Sequence, residues 1–385
     1  MSHHNAERVL FVLVTSACNL RCSYCFLRDK RWRTLGWPAL RAALDWVLSA
    51  ASQEARVVFS GGEPLLALPM IARAVEYLDS RRRPDLTLHY EILTNGILLG
   101  QKQTAFLAEH DFRIGLSFDG VRRAQNLRGR GTFDTLEQAI ARLRQEWPCL
   151  FEHRLEIAMT LCRENVTTLA DSVSYFLKTG VSAINLSAAM TTDARWSSRD
   201  SVELDGQFAR MYQDSVGHYE RTGQVPLTLF LKTSPDRPRR SVPDAPCRIG
   251  AGHALAVDAT GRAFACPLFA AGYHRPGSPL LDAAARVVDL GQADKPGLTR
   301  RLEALPPKIG ATRLFTARRE KYSSWRRCGE CRYLDRCRVC PVAVGLAAGN
   351  ADPDHVPDFQ CAFSRTSLKY RDRFPCQREP AEGHV

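Results

Sequence analysis

The chain has 385 residues, 45% of them apolar and 24% charged, the balance of a globular protein, which excludes a disordered or fibrous one. Its net charge of +12 comes from scattered short groups such as Arg81-Arg82-Arg83, Arg239-Arg240 and Arg318-Arg319 with no aromatic-interleaved basic motif, so no nucleic-acid partner is expected. The apolar run nearest the N-terminus, Val9 to Val14, is far below the ~20 residues of a membrane helix and short for a signal-peptide core, which predicts a cytoplasmic protein with no membrane partner.

Strand and helix patterns then alternate along the chain. Val9 to Val14 predicts a buried strand, and Trp37 to Ser52 a helix with Leu40, Leu44, Val47 and Leu48 on one face. Arg56 to Phe59 predicts the second strand, Pro69 to Arg82 a helix, Leu86 to Leu93 the third strand, Gln101 to His110 a helix and Phe112 to Phe118 the fourth strand. Phe133 to Trp147 carries apolar residues at three- and four-residue steps, Arg154 to Leu161 returns to strand, Val166 to Lys178 is helical and Val181 to Ser187 is the sixth strand. Repeated β-α units predict an α/β fold with a parallel sheet, right-handed connections and functional loops at the C-terminal strand ends. Six units rather than eight predict a partial (β/α)6 barrel with a wide mouth. The Pro-rich stretch from Ser234 to Pro246 breaks the pattern. The predicted domains are therefore a barrel over 1–233, a linker over 234–246, a small cysteine-rich domain over 247–370 and a tail over 371–385.

Thirteen cysteines, many at two- to five-residue intervals, argue for metal or cluster ligation over disulfides in a reducing compartment. Cys18, Cys22 and Cys25 stand as C-x-x-x-C-x-x-C directly after the first strand. A closed zinc site needs a fourth ligand, and Phe26 to Arg33 holds neither Cys nor His. An iron-sulfur cluster on three thiolates instead keeps one iron open for a small molecule. Ser60-Gly61-Gly62-Glu63-Pro64 follows the second strand, where glycines permit close backbone approach and Glu63 offers a carboxylate and a carbonyl to an ammonium group. Alone, it reads equally as a strand-to-helix turn. Thr94-Asn95-Gly96 and Ser117-Phe118-Asp119-Gly120 end the third and fourth strands, as polar rim groups or as turn formers.

Cysteine density rises again beyond the linker. Cys247 is followed by Gly261 and Cys266, then by Cys328, Cys331, Cys337 and Cys340, and last by Cys361. On its own the run from Cys328 to Cys340 also fits a zinc ribbon. Cys149 and Cys162 are expected to pack as small buried hydrophobes, and Cys376 to lie in the tail.

The three-cysteine loop with Tyr24 before its last cysteine, paired with Gly61-Gly62-Glu63-Pro64 one β-α unit later, resembles the signature of the radical S-adenosylmethionine (AdoMet) enzymes. The C-terminal pattern downstream of it resembles the SPASM domain. The resemblance implies AdoMet and three 4Fe-4S clusters as cofactors. Cys18, Cys22 and Cys25 would hold the AdoMet-binding cluster. Cys247, Cys266 and Cys340 would serve a first auxiliary cluster, and Cys328, Cys331, Cys337 and Cys361 a second. AdoMet contacts would come from Tyr24, Gly61, Gly62, Glu63, Pro64, Thr94, Asn95, Ser117 and Asp119, with Phe118 packing; no catalytic acid or base is assigned. The chain departs from the family in the two-residue spacing between Cys337 and Cys340, where three is usual, and in lacking a fourth cysteine for the first auxiliary cluster. His253, six residues after Cys247, reads as a substitute fourth ligand or as a loop histidine. Where many relatives carry a His-Asp pair, Gln125 and Asn126 stand here, and Arg128 reads as a ligand contact or a surface arginine.

The implied activity is reductive cleavage of AdoMet to a 5'-deoxyadenosyl radical that oxidises or cross-links a side chain of a ribosomally made peptide or small protein, acidic by the charge of this chain. A low-potential donor such as flavodoxin or ferredoxin would supply electrons. With 17 residues before Cys18, peptide-leader binding is expected at the barrel mouth, the C-terminal domain or a separate protein. The rival expectations are an AdoMet-dependent dehydrogenase of a small molecule and a non-catalytic zinc or iron-sulfur protein that binds nucleic acid.

Overall fold

The computed structural model describes residues 7–27, 30–50, 52–190, 196–231, 252–270, 278–305, 308–309, 312–315, 318–337, 339–347 and 350–375. The linker expected at 234–246, Cys247 and Cys376 lie outside them. In chain order the elements are β1 (Arg8–Thr15), α1 (Trp37–Leu48), β2 (Glu54–Gly61), α2 (Leu68–Asp79), β3 (Thr87–Thr94), α3 (Gln101–Glu109), β4 (Arg113–Ser117), α4 (Arg122–Gln125), α5 (Thr132–Glu146), α6 (Pro148–His153), β5 (Leu155–Leu161), α7 (Leu169–Thr179), β6 (Ile184–Ala188) and α8 (Ser198–Thr222). They continue with β7 (Ala254–Val257), β8 (Arg262–Phe264), α9 (Pro279–Val288), β9 (Asp289–Gln292), α10 (Leu298–Glu303), β10 (Tyr322–Ser323), β11 (Arg326–Arg327), α11 (Pro341–Leu346) and α12 (Asp358–Arg373). The six β-α units are those predicted, and the fold is α/β on a parallel sheet, as in a partial (β/α)6 barrel. Among the described residues no helix is long and apolar enough to cross a membrane.

The chain forms two compact units, each from several stretches. The first comprises residues 1–21, 25–115 and 241–316. Its sheet order is β3-β2-β1-β7-β8-β9. β1 pairs in parallel with β2, and β2 with β3. Central β1 is buried on both faces, which is why Val9 to Val14 reads as a continuous apolar run rather than an alternating one. Ala254–Val257 joins β1 in parallel with Val9 opposite Ala254, so the stretch beyond the linker also contributes a strand to this sheet. α1 ends at Leu48, short of the expected Ser52, whose hydroxyl donates instead to the Glu54 carbonyl at the entry to β2.

The second unit comprises residues 22–24, 116–240 and 317–385. β5 and β6 pair in parallel from Ile157 opposite Ile184 to Leu161 opposite Ala188. Phe118 packs edge-on to Phe133, Tyr175 and Phe176, the packing role expected of it. α8, 25 residues long, starts at a capping box in which Ser197 and Asp200 satisfy each other's backbone amides. It packs on α12 through Phe208 against Phe363 and through Lys369 paired with Asp205 at 2.6 Å. The boundary between the two units in the C-terminal half falls between 316 and 317.

Candidate active site

In the first unit, the chain leaves β1 at Thr15 and reaches Cys18 through a segment clamped by the loop after β2. The Gly62 amide donates to the Thr15 carbonyl and the Glu63 amide to the Ala17 carbonyl, both at 2.8 Å. A side chain has no room in this clamp. A Cβ on Gly61 would stand 2.3 Å from the Thr15 oxygen, and one on Gly62 2.1 Å from the Ala17 oxygen; Gly61 also sits at φ +133°, which favours glycine.

Glu63 is fully buried, and its carboxylate accepts from the Thr94 hydroxyl at 2.6 Å, the Asn95 amide at 2.8 Å and the Leu65 amide at 3.1 Å. Burial nevertheless pushes this carboxyl above its ordinary value, outweighing the three donors. Among the described residues no cation forms a salt bridge with it. A buried carboxylate with one acceptor position left suits an incoming ammonium group, so these residues fit the amino end of AdoMet. Asn95 also donates from Nδ2 to Asn19 Oδ1 at 2.7 Å and approaches Cys18 Sγ at 3.8 Å. Burial raises the Cys18 thiol, with the Leu20 amide and the Lys30 charge opposing. Asn19, which nothing in the motif spacing marks, therefore joins the cysteine loop to the third-strand rim.

In the second unit, Tyr24 donates its hydroxyl to Asp119 Oδ2, while Asp119 Oδ1 accepts from Arg128 Nη2 at 2.8 Å and from the Thr160 amide at 2.9 Å. Arg128 is buried, reaching also the Ala158 carbonyl at 3.1 Å, with its guanidinium 5.4 Å from the centre of the Tyr24 ring. It is not a surface arginine. Burial alone would lower its pKa, but the Asp119 carboxylate overrides that and holds the guanidinium above its usual range. Burial pushes the Tyr24 phenol far up, Arg128 opposing and Asp119 reinforcing. Gln125 Oε1 accepts from the Asp119 amide at 3.0 Å, and Gln125 Nε2 donates to Thr132 Oγ1 at 3.0 Å, so this residue fixes the rim rather than moving protons. The Ser23 amide donates to the Leu127 carbonyl, tying residues 22–24 to the same rim. Ser117 is half-buried at the end of β4.

The second unit also gathers Cys328, Cys331, Cys337 and Cys361. The Cys331 amide donates to the Cys328 carbonyl at 3.0 Å, and burial raises the Cys361 thiol, with neighbouring Cys337 and Cys331 adding to that and Ser323 and Arg365 opposing. Arg365 Nε is buried with no hydrogen-bond partner. An orphaned donor in a cysteine-lined corner suits a group bearing sulfur acceptors, so these residues fit an iron-sulfur cluster. Cys340 lies in the second unit and Cys266 in the first. Among the described residues no three His, Cys, Asp or Glu side chains converge on a single metal position; a cubane takes each thiolate on a different iron. The eleven described cysteines are all outside disulfides. Cys162 is buried as expected, but Cys149 is exposed, because α6 turns Leu150 and Phe151 inward and leaves Cys149 outside. The His253 carbonyl accepts from the Val9 amide at 2.8 Å, at the start of β1 and not at its cysteine end.

Residues 12–165 match the Radical SAM superfamily. They are a radical SAM domain. A segment of the chain is 33% identical over 138 residues to the cysteine-type anaerobic sulfatase-maturating enzyme of Clostridium perfringens, covering 32% of this chain and 37% of that enzyme. The fold is similar to that of native anSMEcpe, solved with bound AdoMet and Kp18Cys peptide: TM-score 0.71 at 17% identity, over 95% of this chain and 97% of that one. The fold also matches SuiB of Streptococcus suis, solved with precursor peptide SuiA, with TM-score 0.58 at 14% identity over 92% of this chain and 76% of that one. The expected kinship with the radical SAM enzymes is therefore met over residues 12–165.

Proposed function

We propose that this chain is a radical AdoMet peptide maturase that oxidises or cross-links a side chain of a peptide or small protein. The observation that carries the proposal is the pair of interlocked loops, in which the Gly62 and Glu63 amides clamp the strand end before Cys18 and present a buried carboxylate with no salt bridge among the described residues. Cys18, Cys22 and Cys25 would hold a 4Fe-4S cluster, Glu63 the amino group of AdoMet, and the rim residues Thr94, Asn95, Ser117 and Asp119 would shape the rest of that pocket. Bound together, cluster and AdoMet supply a 5'-deoxyadenosyl radical able to take a hydrogen atom from carbon. The protein's own work is positional. Thr94 and the Asn95 amide aim Glu63, and Asp119 and Arg128 hold Tyr24. The two solved folds contain peptides, which supports a peptide substrate here, and auxiliary clusters on the C-terminal cysteines would accept the electron left after hydrogen removal. A low-potential electron donor, a separate leader-binding protein and a cytoplasmic location complete the proposal.

The test is anaerobic incubation of the reconstituted chain with AdoMet, reductant and deuterated peptides, read by mass spectrometry. The expected result is 5'-deoxyadenosine carrying deuterium and a peptide lighter by about two hydrogens per event. Cys18→Ala, Cys22→Ala and Cys25→Ala should each abolish 5'-deoxyadenosine. Undiminished formation in all three variants would sink the cluster assignment, while label arriving only from a small metabolite would replace the peptide by a small molecule.

A further inference from the structure

The cysteines of the second unit carry polar neighbours that ligation does not require. Ser364 Oγ lies 3.2 Å from Cys337 Sγ, and Cys361 Sγ lies 3.5 Å from Ser323 Oγ. α12 sets Cys361, Ser364 and Arg365 at i, i+3 and i+4, which is one face of a helix. Arg365 Nε on that face is buried without a partner. Ser323 is buried at the end of β10, and its oxygen already accepts from the Trp325 amide at 3.4 Å, leaving its hydroxyl hydrogen to point elsewhere. A thiolate on iron has no proton, so beside such a sulfur a serine can only donate.

We infer that Ser323, Ser364 and Arg365 set the reduction potential of a cluster held by Cys328, Cys331, Cys337 and Cys361. The inference rests on the auxiliary clusters invoked under Proposed function, one of them placed on these four cysteines, and adds the residues that make that cluster easy to reduce. Reduction places an extra electron on the iron and sulfur atoms. Donors aimed at the ligand sulfurs, and a cation beside them, stabilise that charge more than the oxidised state, so they raise the potential. The two serines come from different elements, β10 and α12, and reach different cysteines. Their effects should therefore add.

The test is a potentiometric titration of the anaerobically reconstituted full chain, followed by electron paramagnetic resonance, with iron and zinc content measured alongside. Ser323→Ala, Ser364→Ala and Arg365→Gln should each move the midpoint of one and the same signal to more negative potential, and the double serine variant further than either. Ser→Thr at either position, which keeps the hydroxyl, should return the midpoint toward the wild-type value. Ser367→Ala is the control, since that hydroxyl lies on the same helix and is buried without a partner; it should leave the midpoint where it was. Full iron with unchanged midpoints in the double serine variant and in Arg365→Gln would overturn the inference. If the alanine variants lose iron, Arg365→Gln and the threonine variants decide it by the same criterion. Wild-type protein that fills these four cysteines with zinc would overturn the cluster assignment itself, a result distinct from unshifted midpoints.

Discussion

Asp119→Ala is the sharpest test of the second unit's site, because the carboxylate is 1% exposed and its partner Arg128 8% exposed. The substitution strands a guanidinium that is already short of one partner at Nε. Breaking a buried ion pair from one side costs about 3–5 kcal/mol, since the remaining charge stays out of water. For a unit of this size each kcal/mol lowers the melting temperature by about 2–4 °C, so the unit's transition should fall by roughly 6–20 °C. The Tyr24 hydroxyl and the Thr160 amide lose their acceptor as well, which places the expected value in the upper half of that range. The double variant Asp119→Ala with Arg128→Ala should cost less than the two single changes together, because neither charge is left alone. Circular dichroism melts of metal-free protein under anaerobic conditions measure all four species. Asp119→Ala melting within about 2 °C of wild type, or single costs that simply add, would refute the buried-pair reasoning.

Glu63 gives a pH signature. Its folded value is raised, so the stability tied to its protonation is fully present below the unfolded value and is lost as pH rises through the folded one. Melting temperature without AdoMet should therefore decline with rising pH above the ordinary carboxylate range, and Glu63→Gln should flatten that decline and weaken AdoMet binding measured by calorimetry. Gly62→Ala puts a methyl 2.1 Å from a backbone oxygen, a strain of about 1–3 kcal/mol or more that must part the two loops; 5'-deoxyadenosine formation should be lost while C-terminal iron is kept. Cys340→Ala should lose about one cluster's worth of iron, and His253→Ala none, since the contact His253 makes with Val9 is through its backbone.

The sequence made the β-α core readable because each unit states its period twice, once in the strand and once in the helix. Gly61-Gly62-Glu63-Pro64 was readable only through its pairing with the three-cysteine loop one β-α unit earlier, since alone the segment reads as a strand-to-helix turn. Arg128 was not decidable, because a buried arginine and a surface one look alike until the carboxylate and the Thr160 strand are in place. α8 went unnoticed despite Leu204, Phe208 and Met211 at helical steps, since Gly206 and Gly217 dilute its propensity, although the Ser197 and Asp200 capping box announces its start. Ser323 and Ser364 carry no signal at all in one dimension. Their meaning comes from α12 and the short hairpin meeting around the same cysteines.

The clamp of Gly62 and Glu63 on Thr15 and Ala17 also orders events in the life of the chain. The three cysteines leave the ribosome first, yet the amides of Gly62 and Glu63 that give their loop its shape come 37 and 38 residues after the last of them. Until β2 has docked beside β1, the thiols are an unshaped chelator, open to whichever thiophilic ion the cell offers. Insertion of the proposed cluster would thereby be a late step, one that follows the first strand pairing. A chain cut before Glu54 would keep Cys18, Cys22 and Cys25 and lose the mould that shapes their loop.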